Sequence, residues 1–163
     1  MMNLDQILLL GDERLYKPST EVRPEELRSL QQGIADLHGL VLQFREKYGK
    51  GRAIAAPQIG LMKRIICYHV DEPVTLINPV LSNPGEELME VWDDCMSFPQ
   101  LLVRVRRHRA CTISFRDVNW NLHKWDLMDD LSELFQHEID HLDGILATDR
   151  AIDERSFRII SHS

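Results

Sequence analysis

At 163 residues and 19.0 kDa the chain has the size of one ordinary domain, which excludes a multidomain machine. Hydrophobic residues make up 44% and charged residues 28%, with 8 Gly and 7 Pro, a balance that belongs to a folded globular protein and not to a disordered or fibrous one. The 19 Lys and Arg against 26 Asp and Glu give a formal charge of -7, so the broad basic footprint that nonspecific DNA or anionic-membrane binding needs is absent.

No apolar run near the start approaches the roughly 20 residues that span a bilayer. Ile7 to Leu10 is stopped by Gly11-Asp12-Glu13-Arg14, and no basic head or small-residue cleavage site marks a secretory leader. These features predict a cytoplasmic protein without a membrane partner. The three cysteines, Cys67, Cys95 and Cys111, are then core residues, nucleophiles or metal ligands rather than a disulfide framework.

From Pro24 to Tyr48, Leu27, Leu30, Ile34, Leu37, Val41 and Phe44 recur at steps of three and four and line one helical face. Pro24 suits a first turn, Glu25 and Glu26 suit the positive end of the dipole, and Gly49 suits a left-handed cap. A glycine and alanine segment, 49–60, follows. Runs rich in β-branched residues then predict strands at Arg64 to Val70, Val74 to Val80, Glu87 to Trp92, Val103 to Arg107, Cys111 to Val118 and Leu122 to Leu127. Their connections are too short for crossover helices, so the sheets should be mainly antiparallel. A second helix is predicted from about Asp129 to Leu142, stopping at Gly144. The order helix, strands, helix, without repeats or linkers, predicts one α+β domain over residues 1–163.

The last helix contains His137-Glu138-Ile139-Asp140-His141. Two histidines four apart rise on one face, so both imidazoles can reach one metal ion, and Glu138 can reach a water beside it. Two solvated surface histidines would give the same spacing. Hydrolysis on a metal needs a third ligand and an open position. Cys95 is favoured because Asp93-Asp94-Cys95-Met96-Ser97-Phe98-Pro99 reads as a turn, although spacing alone leaves a carboxylate or another histidine open. Cys67 and Cys111 sit in apolar strands and read as buried hydrophobes. Gly51-Arg52-Ala53-Ile54-Ala55-Ala56-Pro57-Gln58 permits close approach of a ligand and offers the Gln58 amide as a donor to developing negative charge. A tight connection packed on the sheet would look much the same.

Taken in order, these three segments resemble the three motifs of the peptide deformylase family, Gly-x-Gly-Leu-Ala-Ala-Pro-Gln, Glu-Gly-Cys-Leu-Ser and Gln-His-Glu-x-Asp-His-Leu. The resemblance extends to Asp12-Glu13-Arg14-Leu15 and Ile77-Asn78-Pro79. It implies a divalent ion held by Cys95, His137 and His141, iron(II) in the cell and zinc, nickel or cobalt as purified. It further implies Glu138 as general base and acid, and the Gln58 amide and Met96 N–H as oxyanion donors. The implied reaction removes formyl from formyl-methionyl N-termini of nascent proteins, with the ribosome as a possible partner. Asp140 and neighbouring carboxylates are candidates to orient the histidine rings.

The resemblance places the substrate pocket at Gly51, Arg52, Ala53, Val91, Asp93, Asp130, Glu133 and Leu134. Ala53 stands for the second glycine of the first motif, Asp93-Asp94 for the Glu-Gly of the second and Met96 for its leucine; three further departures are in charge, the family having apolar side chains where this chain has Arg52, Asp130 and Glu133. Either Arg52 pairs with these carboxylates or the pocket is open to water. Weaker affinity for formyl-methionyl peptides is expected in both cases. The alternatives are a paralogue acting on another N-formyl compound, a non-catalytic deformylase-like binding protein and, least fitting, a zinc endopeptidase. Arg104, Arg106, Arg107 and Arg109 alternate like the wet face of a sheet, or a surface for ribosomal RNA.

Overall fold

The computed structural model describes residues 1–160; residues 161–163, the end of the expected domain, lie outside the described residues. After a 3-10 turn at Pro24–Glu26, helix α1 spans Leu27–Tyr48 and ends at Gly49, whose φ of 71° is the left-handed cap expected there. Strands β1 (Ala53–Ala55), β2 (Ile65–His69), β3 (Pro73–Ser82), β4 (Leu88–Asp93), β5 (Leu101–His108), β6 (Ala110–Arg116) and β7 (Leu122–Met128) precede helix α2 (Asp130–Leu142) and strand β8 (Phe157–Ile159). One sheet has the order β1-β2-β3-β6-β7 and the other β4-β5-β8, with every paired strand antiparallel.

The larger sheet is the partition of the molecule. Alternation along β1 and β2 sends Ile54, Ile65 and Cys67 to one side, where Leu30, Ile34, Leu37, Val41 and Phe44 of α1 cover them. Ala53, Ala55 and Ile66 go to the other side and meet Phe135, Ile139 and Leu142 of α2. Each fully buried Leu, Ile or Phe contributes about 1.5–3 kcal/mol against exposure, so the two faces fix both helices on the sheet. Cys67 and Cys111 are core residues, as expected, and burial pushes the Cys67 thiol up.

The six expected strands are present with ends shifted by at most two residues. β1 and β8 were not expected. β3 bends between Ile77 and Val80, where Asn78 takes φ 50° and its side-chain amide pairs with both backbone groups of Val22 at 2.8 Å. The arginine run also differs from expectation. Arg107 follows Val103 and Val105 onto the inner face of β5 and is buried, while Arg106 faces outward and is exposed.

Candidate metal centre and active site

Two elements of unlike origin meet under the larger sheet. Cys95 follows β4 in a tight turn held by the Phe98 N–H donating to its carbonyl, and α2 carries His137 and His141 one turn apart. All three side chains are buried. Nε2 of His141 lies 3.1 Å from Nε2 of His137 and 3.3 Å from Sγ of Cys95. Tetrahedral coordination with metal–nitrogen distances of about 2.0–2.1 Å and metal–sulfur of about 2.3 Å separates ligand atoms by about 3.3–3.6 Å, so a divalent ion fits among these donors with small adjustment. One thiolate and two imidazoles suit iron(II) or zinc, and three protein donors leave a fourth position for water or substrate.

The histidines are oriented by charge as well as by the helix. Nδ1 of His137 is 2.8 Å from Oδ2 of Asp93, which also accepts from Arg107 at 2.8 Å. Arg107 donates in turn to Asp140 at 2.7 Å, and Arg150 reaches Asp140 from the surface. Burial disfavours the Asp93 anion, but His137 and then Arg107 outweigh it and hold the carboxyl at about 2. Burial alone would lower the His137 pKa, yet Asp93 and Cys95 raise it well above its ordinary value. His141 is pushed well below, first by burial and then by His137. Metal binding must therefore displace the His137 proton, which makes affinity fall as pH falls. Asp140, considered from sequence as a partner of the histidine rings, instead takes Arg107 and Arg150; Asp93 is the carboxylate that meets a ring.

Beside the three donors lies a cleft of about 210 Å³. Its floor includes Glu138, whose Oε2 is buried without a hydrogen-bond partner among the described residues. Burial raises the Glu138 carboxyl to about 7, with His137 opposing and Asp93 adding to the shift. Gln58 is buried in the 3-10 turn Ala56–Ile59. Its Oε1 accepts from the Ala55 N–H at 2.9 Å, which turns Nε2 toward Ser97 Oγ at 3.0 Å and Cys95 Sγ at 3.5 Å. The backbone N–H of Met96 takes part in none of the described hydrogen bonds. Gly51, at φ 123°, sits so close to Phe44 and Met96 that a Cβ there would stand 3.0 and 3.2 Å from them.

Gly51, Arg52, Ala53, Asp93, Glu133 and Leu134 line the cleft, together with Met96, Cys95, His137 and Glu138. Val91 does not. It lies one step further along the inner face of β4 and packs on the small cluster of Phe98, Val103 and Val105. Asp130 stands at the rim, its side chain 77% exposed, and pairs with Arg52 at 3.1 Å. Arg52 also reaches Glu133 at 3.3 Å, so the expected pairing involves both carboxylates. Burial, and secondarily Asp93, raises the Glu133 carboxyl to about 7 against the pull of Arg52. Phe44, Lys50 and Asp94 also line the cleft and were not named as pocket residues from sequence: Phe44 read as part of the core stripe of α1, while Lys50 and Asp94 stand beside motif residues without marking a pocket themselves.

A two-histidine helix, a cysteine turn, a buried carboxylate and an aimed amide around one cleft define the class: a hydrolase site built for a divalent ion with an open position. The polypeptide deformylase family model matches residues 4–157. A peptide deformylase 2 of Clostridium acetobutylicum is 37% identical over 154 residues, covering 91% of this chain and 95% of the relative. A peptide deformylase 2 of a Nostoc species is 33% identical, with 88% of this chain and 84% of the relative covered. Among solved structures, the peptide deformylase of Thermotoga maritima superposes with a TM-score of 0.80 at 26% identity, covering 90% of this chain and 97% of that one. The Synechococcus elongatus peptide deformylase in complex with actinonin gives 0.79 at 30% identity, over 91% and 79%. This chain belongs to the peptide deformylase family.

Proposed function

We propose that this chain removes the formyl group from the N-termini of formyl-methionyl peptides, releasing formate and a free amine. The observation that carries the reading is the convergence of Cys95 Sγ with the Nε2 atoms of His137 and His141 beside the unpartnered Glu138 carboxylate. A divalent ion bound there supplies Lewis acidity and acidifies water. The rest falls to the protein. Glu138 takes the proton of the attacking water and returns it to the departing nitrogen, since an amine leaves readily only when protonated. A carboxyl near 7 is suited to both halves of that exchange. The Gln58 amide, held by the Ala55 N–H, and the backbone N–H of Met96 stabilise the negative charge that develops on the formyl oxygen. Asp93, fixed by Arg107, holds the His137 ring with Nε2 toward the other donors.

The native ion is iron(II), the substrate meets the enzyme in the cytoplasm as it emerges from the ribosome, and the family's chemistry is retained in full. Formate release from formyl-Met-Ala-Ser after anaerobic metal loading tests this. Wild-type protein should turn over. Glu138→Gln should keep the metal and lose about 10²–10⁴-fold in kcat. Metal-loaded wild type that releases no formate would overturn the reading.

A further inference from the structure

The cleft beside the metal donors is lined both by apolar side chains, Phe44, Met96 and Leu134, and by charged ones, among them Arg52 and Glu133. These two charges are neither fully wet nor fully buried, with side-chain exposures of 35% and 18%. Arg52 uses both of its terminal nitrogens, one on Asp130 and one on Glu133, through a single carboxylate oxygen of each. Nε of Arg52 and Oε2 of Glu133 make no hydrogen bond in the described structure, and neither is sealed from water. Glu133 lies four residues before His137 on α2, so it belongs to the same helix face as the metal donors and within reach of the first side chain of a substrate whose formyl group sits at them.

An apolar side chain entering this cleft strips water from a charged pair and returns nothing to the donor and acceptor left over, which is a net loss. A side chain that carries its own donor and acceptor replaces that water. Specificity of this kind is strongly asymmetric, because buried polar groups reject an analogue that cannot pair with them more firmly than an apolar pocket rejects a missing methylene. From this we infer that Arg52 and Glu133 are specificity determinants that favour N-formyl substrates with a carboxamide first side chain over those with a thioether or hydrocarbon one. The oxygen of that carboxamide accepts from Arg52 and its NH₂ donates to Glu133. Asp130 has a positioning role, holding the guanidinium across the cleft mouth.

This inference rests on the deformylase reading above and is separable from it. The assay compares kcat/KM for formyl-Gln-Ala-Ser and formyl-Met-Ala-Ser, which are matched in length, on metal-loaded wild type and on the double variant Arg52→Ile/Glu133→Ile, which leaves the exposed Asp130 carboxylate, and no buried charge, without its partner. The Gln-to-Met ratio should fall at least tenfold in the double variant, chiefly through KM. A wild-type ratio below one, or a ratio that falls less than tenfold or rises in the double variant, overturns the inference. Should the double variant fail to fold, the wild-type ratio decides: one or above supports the inference and below one overturns it. No formate from either peptide on metal-loaded wild type would instead overturn the proposed function, a different result from an unmoved ratio.

Discussion

Replacing Arg107 by Met should unsettle the protein more than any exposed arginine could. The guanidinium is 2% exposed and bridges Asp93 at 2.8 Å and Asp140 at 2.7 Å, so its removal leaves two carboxylates short of a partner. Breaking a buried ion pair from one side costs about 3–5 kcal/mol. Arg150 still reaches Asp140, and His137 still reaches Asp93, which places the loss near the lower end. For a protein of this size, about 2–4 °C of Tm per kcal/mol converts about 3 kcal/mol into a drop of about 6–12 °C. The pH dependence has a definite sign. With the folded Asp93 carboxyl at about 2 and the ordinary value at 3.8, the unfolded protein takes up the proton first as pH falls. The stability that Asp93 contributes is therefore present above the ordinary value and lost on the way down to the folded one. The gap between wild type and Arg107→Met should be widest near neutral pH and close toward acid. Calorimetric melts of metal-free protein across that range measure it. A Tm loss under about 2 °C at neutral pH, or a gap that widens in acid, would refute the claim that this arginine is held by compensated burial.

Three further outcomes follow from the same geometry. Gln58→Leu should leave metal content unchanged and lower kcat about 10²–10³-fold in formate release, the usual loss for one oxyanion donor. Asp93→Asn should weaken metal affinity about 10–100-fold in a chelator competition, because the carboxylate that orients His137 is gone. His38, whose pKa is lowered to about 4 by burial and then by His69, remains neutral in the fold while the unfolded protein protonates near 6.5. Stability should thus fall as pH drops from 6.5 toward 4, and His38→Gln should flatten that slope in melts over the same range.

Much of this site was legible in the sequence because its chemistry is local. Two histidines a turn apart declare their shared face, and a cysteine in a turn differs from Cys67 and Cys111 in apolar strands by its neighbours alone. The long helix was legible for the same reason, its stripe and its Gly49 cap both being short-range features. What escaped depends on partners distant in sequence. β1 is three buried residues in a glycine and alanine stretch, with no alternation to read, and exists through its pairing with β2. β8 is exposed throughout and is a strand only because β5 lends it an edge. Arg107 reads as one of four alternating arginines until the register of β5 turns it inward to Asp93 and Asp140. Val91 misses the cleft by one step of the pleat.

The most direct measurement titrates metal-free protein anaerobically with cobalt(II), following thiolate-to-metal charge-transfer absorption and formate release from an N-formyl peptide in the same samples. The account predicts that both signals rise together and saturate at one ion per protein molecule, and that Cys95→Ser loses the absorption band. Saturation of the band without formate from any N-formyl peptide, or turnover at full rate in protein that shows no thiolate band, would contradict it.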